Sequence, residues 1–177
     1  MSRSANRIAF LSAVWLLVVA VTPAAAATPR AATSAASGTD FVLPLPPPPV
    51  VLTPFTPPQN RYGAGHRGVD LAADVGAVVT AAGAGRVVFA GELAGRGVVS
   101  VEHDGGLRTT YEPVTSTVTV GSAVAAGAPI GTLQAGHPGC APTSCLHWGA
   151  RLPGEVYIDP MALLRGWQVR LWPWEGR

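Results

Sequence analysis

The sequence has no lysine: all twelve basic residues are arginine, set against ten acidic ones. Two of these arginines, Arg3 and Arg7, precede an apolar run over residues 8–21 that leads into Pro23 and the alanines from Ala24 to Ala27. A basic flank, a short apolar stretch and a small-residue cleavage site are the parts of a secretory signal peptide. The run falls short of the roughly 20 apolar residues that a spanning helix needs. Residues 1–26 are therefore expected to be removed, leaving no stable membrane insertion, and no nearby cysteine offers a lipid attachment point. Without Arg3 and Arg7 the formal charge of +2 becomes zero, ten arginines facing ten acids. That balance argues against a nucleic-acid partner and against attachment to membranes by charge.

Cysteine is almost as scarce, with only Cys140 and Cys145. In an oxidising compartment a local disulfide is the expected state, although so short a loop cannot be the main source of stability. As a free thiolate, Cys145 would share a strand face with His147 and could close a zinc site as a fourth ligand. No fixed-period repeat is present, and long helical periodicity is missing except over residues 159–167. Short β-rich runs take its place, at residues 78–80, 86–90, 98–101, 107–111, 118–120, 129–133 and 145–151. Glycine-rich separators divide them, and Asp104-Gly105-Gly106 between two runs predicts a hairpin. The expected fold is all-β, an antiparallel β-sandwich or partly closed barrel over residues 59–165.

The flanks differ from this domain. Residues 27–58 are rich in Ala, Ser, Thr and Pro, with eight prolines between Pro44 and Pro58. Such a segment is expected to be an extended, semi-rigid linker, with local docking open to Phe41, Val42 and Leu43. The tail, residues 166–177, carries Trp167, Trp172 and Trp174. These indoles suit either cover for a domain edge or a stacking platform for sugar rings.

Four histidines are available for chemistry. His66 is followed four positions on by Asp70, and His147 lies on a predicted strand far along the chain. Two imidazoles and a carboxylate make three zinc donors, and three protein donors leave a fourth position for water, as a catalytic zinc requires. The same spacing also suits a structural His–Asp pair. Glu112 is a candidate general base, although strand alternation turns it away from the groove if Tyr111 and Pro113 face it. His137, in the loop before the cysteines, is a second catalytic candidate. His103, beside the Asp-Gly-Gly turn, is expected to make a structural hydrogen bond. Arg67 and Arg151 are expected to be solvated, with carboxylates of a peptide as the alternative partner.

Several segments, in order, resemble the lysostaphin-like zinc endopeptidases that cut bacterial peptidoglycan. "GHRGVDLAA" resembles that family's H-x-G-x-D zinc motif, and "GAVVTAAGAGRVVFAG" and "VVSVEHDGGLRTTY" resemble its central strands and Gly-rich turn. "VTVGSAVAAGAPIGTL" and "IDPMALL" resemble its later hairpin and closing segment. The resemblance implies zinc as cofactor, with His66, Asp70 and His147 as metal ligands, and peptidoglycan peptides as substrate. At the two positions where the family carries further histidines this chain has Pro113 and Cys145. The expectation from these departures is a family member whose usual catalytic histidines are replaced. Its function is expected to be that of a secreted or wall-associated zinc metalloendopeptidase-like protein acting on cell-wall peptide bonds. The alternatives are a catalytically degenerate member that binds wall peptides or regulates a partner hydrolase, and a zinc-stabilised structural module.

Overall fold

A computed structural model describes residues 41–45, 49–60, 62–140 and 144–165. The segments read as signal peptide and Trp-rich tail lie outside the described residues. Among the described residues there are eleven strands: β1 (Val51–Thr53), β2 (Gly68–Ala72), β3 (Val78–Thr80), β4 (Gly85–Leu93), β5 (Arg96–Glu102), β6 (Arg108–Glu112), β7 (Val114–Ser116), β8 (Ala123–Val124), β9 (Pro129–Leu133), β10 (Cys145–Leu152) and β11 (Val156–Ile158). They form two antiparallel sheets, one in the order β1-β2-β10-β6-β5-β4-β8 with β11 on the edge of β10, the other β3-β9-β7. This is the all-β sandwich expected from the sequence.

Strand alternation decides which residues meet between the sheets. On β2, Val69 and Leu71 turn inward, and on β10 Leu146, Trp148 and Ala150 do so. Tyr111, Val99, Val101 and Val87 continue the same layer, and Val79, Ile130, Leu133 and Val114 face it from the smaller sheet. Each such side chain, fully buried, contributes about 1.5–3 kcal/mol. The outer face of the larger sheet thereby receives the alternate residues, Asp70 and His147 among them.

Local departures from expectation have identifiable causes. Residues 118–120, Val-Thr-Val, form no strand; pairing with β9 occurs earlier, at Val114–Ser116, directly after Pro113. Over its described residues, the segment beginning at residue 159 forms a 3-10 turn, Pro160–Arg165. The Asp-Gly-Gly hairpin is present, and Gly105 and Gly106 have φ of 76° and 78°, a region that non-glycine residues adopt only with strain. In the Pro-rich stretch, Leu45 is buried in the core, Val42 N–H donates to Ala82 O at 2.7 Å, and β1 pairs with β2. Pro54 immediately beyond β1 is tolerated because that strand is the sheet edge.

One polar chain crosses the core. His103 Nδ1–H donates to Ala84 O (2.8 Å), so its Nε2 accepts from the Thr109 hydroxyl (2.7 Å). Thr109 Oγ1 in turn accepts from Tyr111 (2.8 Å), whose oxygen accepts the Ala82 N–H (2.8 Å). A neutral imidazole satisfies every member. Burial pushes the Tyr111 hydroxyl up to about 12. Burial likewise lowers the His103 pKa from 6.5, despite the Ala84 bond and the nearby Asp104 carboxylate. The unfolded chain therefore binds the His103 proton more readily, so stability is full above about 6.5 and declines as pH falls towards the depressed value. Burial displaces His137 in the same direction. Thermal unfolding of wild type should show Tm falling as pH drops below about 6.5. His103→Asn should begin less stable and lose less over that interval; parallel slopes would assign the loss elsewhere.

Candidate metal centre

Four strands bring distant residues into one row. Thr53 on β1 stands opposite Asp70 on β2, Asp70 opposite His147 on β10, and His147 opposite Glu112 on β6. His66 joins this row from just before β2, held by paired backbone bonds with Thr56, N–H to O at 3.0 and 2.8 Å. The tips converge: His66 Nε2 lies 3.1 Å from Asp70 Oδ1, His147 Nδ1 lies 2.9 Å from the same oxygen, and the two nitrogens are 3.1 Å apart.

The proton inventory indicates what this cluster holds. His66 Nδ1 is 2.9 Å from Pro54 O, an acceptor only, so Nδ1 carries the proton and Nε2 presents its lone pair. That lone pair faces an Asp70 carboxylate oxygen, itself an acceptor only, a repulsive contact that a cation resolves. Donor atoms on a tetrahedral zinc stand about 3.3 Å apart, close to the separations here. His66, Asp70 and His147 thus form a cluster whose geometry and donor chemistry are consistent with zinc coordination. Burial alone would raise the Asp70 pKa; hydrogen bonds from His147 and Thr53 and the two adjacent imidazoles outweigh it and hold the pKa below 3.8. Asp70 is therefore an anion at neutral pH, as a metal ligand must be.

A third imidazole completes the surroundings. His137 stacks on His147 with ring planes 5° apart and centroids 5.4 Å apart, and its Nε2 is 4.0 Å from Asp70 Oδ1. Gly139 N–H donates to His137 Nδ1 at 3.3 Å, which leaves the proton on Nε2, aimed at the cluster. Burial keeps the His137 pKa below 6.5 against the pull of Asp70. The expectation that Pro113 and Cys145 replace the catalytic histidines and leave a degenerate centre is corrected by this arrangement: His66, Asp70 and His147 form an intact cluster, and His137 is brought beside it. The loop carrying His137 is tied to β10 by the Cys140–Cys145 disulfide, with Cys140 Sγ 3.6 Å from His137 Nδ1. A disulfide sulfur is not a thiolate, so Cys145 in this form does not close the centre as a ligand.

Glu112 also lies differently from its expected orientation. Tyr111 points into the core, so alternation turns Glu112 outward onto the groove, beside His147. Arg96 Nη2 donates to Glu112 Oε1 at 2.9 Å, and that bond to Glu112 raises the guanidinium's pKa. Sequence reasoning missed Arg96, because its proximity depends on the β5–β6 pairing. The groove, about 390 Å³, runs from His147 and Glu112 past Thr110 and Gly149 to Arg108 and Arg151. Arg67 Nη2 donates to Gly63 O at 3.1 Å, with its guanidinium 5.4 Å from the Tyr157 ring centroid.

Two imidazoles and a carboxylate on the outer face of an antiparallel sandwich, open to a groove, define a metal-centre β-sandwich protein. Residues 64–160 match the profile of peptidase family M23, and the chain belongs to that family. It is 53% identical over 139 residues to an uncharacterized protein of Mycobacterium tuberculosis (strain ATCC 25618 / H37Rv), covering 76% of this chain and 56% of that protein. The same figures hold for an uncharacterized protein of Mycobacterium bovis. This chain thus spans little more than half the length of those relatives. Among solved structures, the catalytic domain of the antimicrobial peptidase lysostaphin from Staphylococcus simulans matches with TM-score 0.54 at 25% identity, covering 63% of this chain and 89% of that one. Helicobacter pylori Csd3 matches with TM-score 0.58 at 26% identity, covering 75% and 37% respectively.

Gly68 offers a test of the cluster's packing. A Cβ there would lie 2.5 Å from Trp148 O and 2.7 Å from His147 Nε2, so any side chain must displace the imidazole. Gly68→Ala should lower zinc affinity by about 10- to 100-fold, the range seen when support for a ligand is lost. Competition against a chromophoric chelator measures this; unchanged affinity would show that the His147 position is not critical.

Proposed function

We propose that the chain is a secreted zinc metalloendopeptidase that cuts peptide bonds of bacterial cell-wall peptidoglycan, with His66, Asp70 and His147 as its metal ligands. The observation that carries this reading is the convergence of those three donors beside a groove, with a neutral His137 aimed at the same point. Membership of peptidase family M23 and likeness to the lysostaphin catalytic domain support it. Among the described residues no helix is long and apolar enough to cross a membrane, and the leader-like residues 1–26 support export.

Zinc at this centre would polarise a peptide carbonyl and make water nucleophilic at neutral pH. The remaining work falls to side chains. His137, neutral and with its proton on Nε2, donates to the carbonyl oxygen as negative charge develops there. Glu112, kept in place by Arg96, takes the proton released as water attacks and returns it to the departing amine. Thr53 holds Asp70 in its anionic form, and Pro54 O fixes the His66 tautomer.

Release of new amine termini from purified peptidoglycan by the zinc-loaded full chain tests the reading; none released would overturn it. His137→Ala should retain its zinc and lose about 10² to 10³ in kcat, the usual cost of one oxyanion donor. Glu112→Gln should also retain zinc and lose about 10² or more in kcat. Asp70→Asn should lose the metal itself, measured by elemental analysis of the purified protein.

A further inference from the structure

Over residues 59–165 the acids outnumber the arginines, eight to seven, yet four of those seven arginines, Arg67, Arg96, Arg108 and Arg151, gather about one groove. Strand register explains how. Beyond the metal row lies a row of small residues, Gly68, Gly149, Thr110 and Ser100, paired across β2, β10, β6 and β5. The next row reads Tyr157, Arg151, Arg108 and Glu102 across β11, β10, β6 and β5. Arg151 and Arg108 are therefore direct cross-strand partners on one face, an arrangement that is destabilising for like charges unless something anionic compensates. Compensation within the chain comes from Glu155 to Arg151 at 3.2 Å and Glu102 to Arg108 at 3.1 Å. Both glutamates are exposed, at 39% and 46% of the side chain, and exposed pairs of this kind are weak and readily exchanged. Arg67, already placed over Tyr157, adds a third guanidinium lining the same groove.

We propose that Arg108 and Arg151, with Arg67, form a subsite for a peptide carboxylate. This rests on the peptidase reading and narrows its substrate class to acidic peptides. Guanidinium forks match a planar carboxylate with paired charge-assisted hydrogen bonds. The row of small residues lets an extended peptide lie close to the sheet between this subsite and the metal row. His147 and Arg151 stand four positions apart on β10, about 13 Å at the rise of a strand. An extended peptide covers that distance in about four residues, so the recognised carboxylate lies about four residues from the bond that is cut. A terminal carboxylate and an acidic side chain both supply this chemistry.

Calorimetric titration of the zinc-loaded full chain with a peptidoglycan stem peptide tests the proposal. The stem is used with all carboxylates free, fully amidated, amidated only at its terminus, and amidated only on its side chains. Wild type should bind the free stem about tenfold or more tightly than the fully amidated one, with the advantage shrinking in high salt. Loss of the advantage in one of the singly amidated stems supports the subsite and identifies the carboxylate. Arg108→Gln and Arg151→Gln should abolish the preference while leaving zinc content and the weak affinity for the amidated stem unchanged, and Arg86→Gln should retain it. Equal binding of free and fully amidated stems by wild type, no binding of either, or a preference that survives both substitutions overturns the subsite. Cleavage without preference removes the subsite and leaves the peptidase reading standing; preference without cleavage does the reverse.

Discussion

A one-residue slip of β2 against β10 would turn Asp70 into the core and put Val69 on the groove, so the register that sets Asp70 opposite His147 is the constraint on which the site depends. It is enforced from the core side by Val69, Leu71, Leu146 and Trp148, which must all face inward together. The same pairing places the Asp70 oxygen 2.9 Å from His147 Nδ1 and lets His66 close the third corner. Hydrophobic burial on one face of the sheet thus organises ligand geometry on the other. The metal row, the row of small residues and the arginine row are successive consequences of one alternation.

Electrostatics follows from that layout. Asp70 is 1% exposed, yet it stays anionic because Thr53 and two imidazoles surround it. The buried His103 achieves the opposite result, a neutral ring with both nitrogens satisfied by Ala84 and Thr109. Two buried ionisable side chains of one small domain are thus assigned to different work by their neighbours. His137 belongs with neither: its loop is anchored by a disulfide and its ring lies flat against His147. Net charge explains none of this, because residues 59–165 carry eight acids against seven arginines and the useful asymmetry lies in the placement of those arginines.

Much of the site was legible in the sequence because its chemistry is concentrated in short motifs. His66 and Asp70 stand four apart before and within β2, and His147 falls in a β-rich run, so all three were readable as donors. The all-β class was legible from short β-rich runs divided by glycine. What escaped depends on contacts between distant segments. β2 was hidden by the aspartate at its centre, and β1 by the prolines around it. The face of Glu112 depends on whether Tyr111 lines the groove, and the sequence does not show that the Tyr111 hydroxyl is needed by Ala82 and Thr109 inside. His137 could be named from its loop, but its stacking on His147 could not. The opposition of Arg108 and Arg151, 43 positions apart, follows only from strand pairing.

Two imidazoles and one carboxylate build the centre, and the cysteines are kept apart from it as a disulfide. X-ray absorption at the zinc edge of the zinc-loaded protein tests it most directly. The expected spectrum has a nitrogen and oxygen shell that includes two imidazoles at about 2.0–2.1 Å and contains no sulfur. A sulfur scatterer at about 2.3 Å, or a shell lacking the imidazole pair, would contradict it.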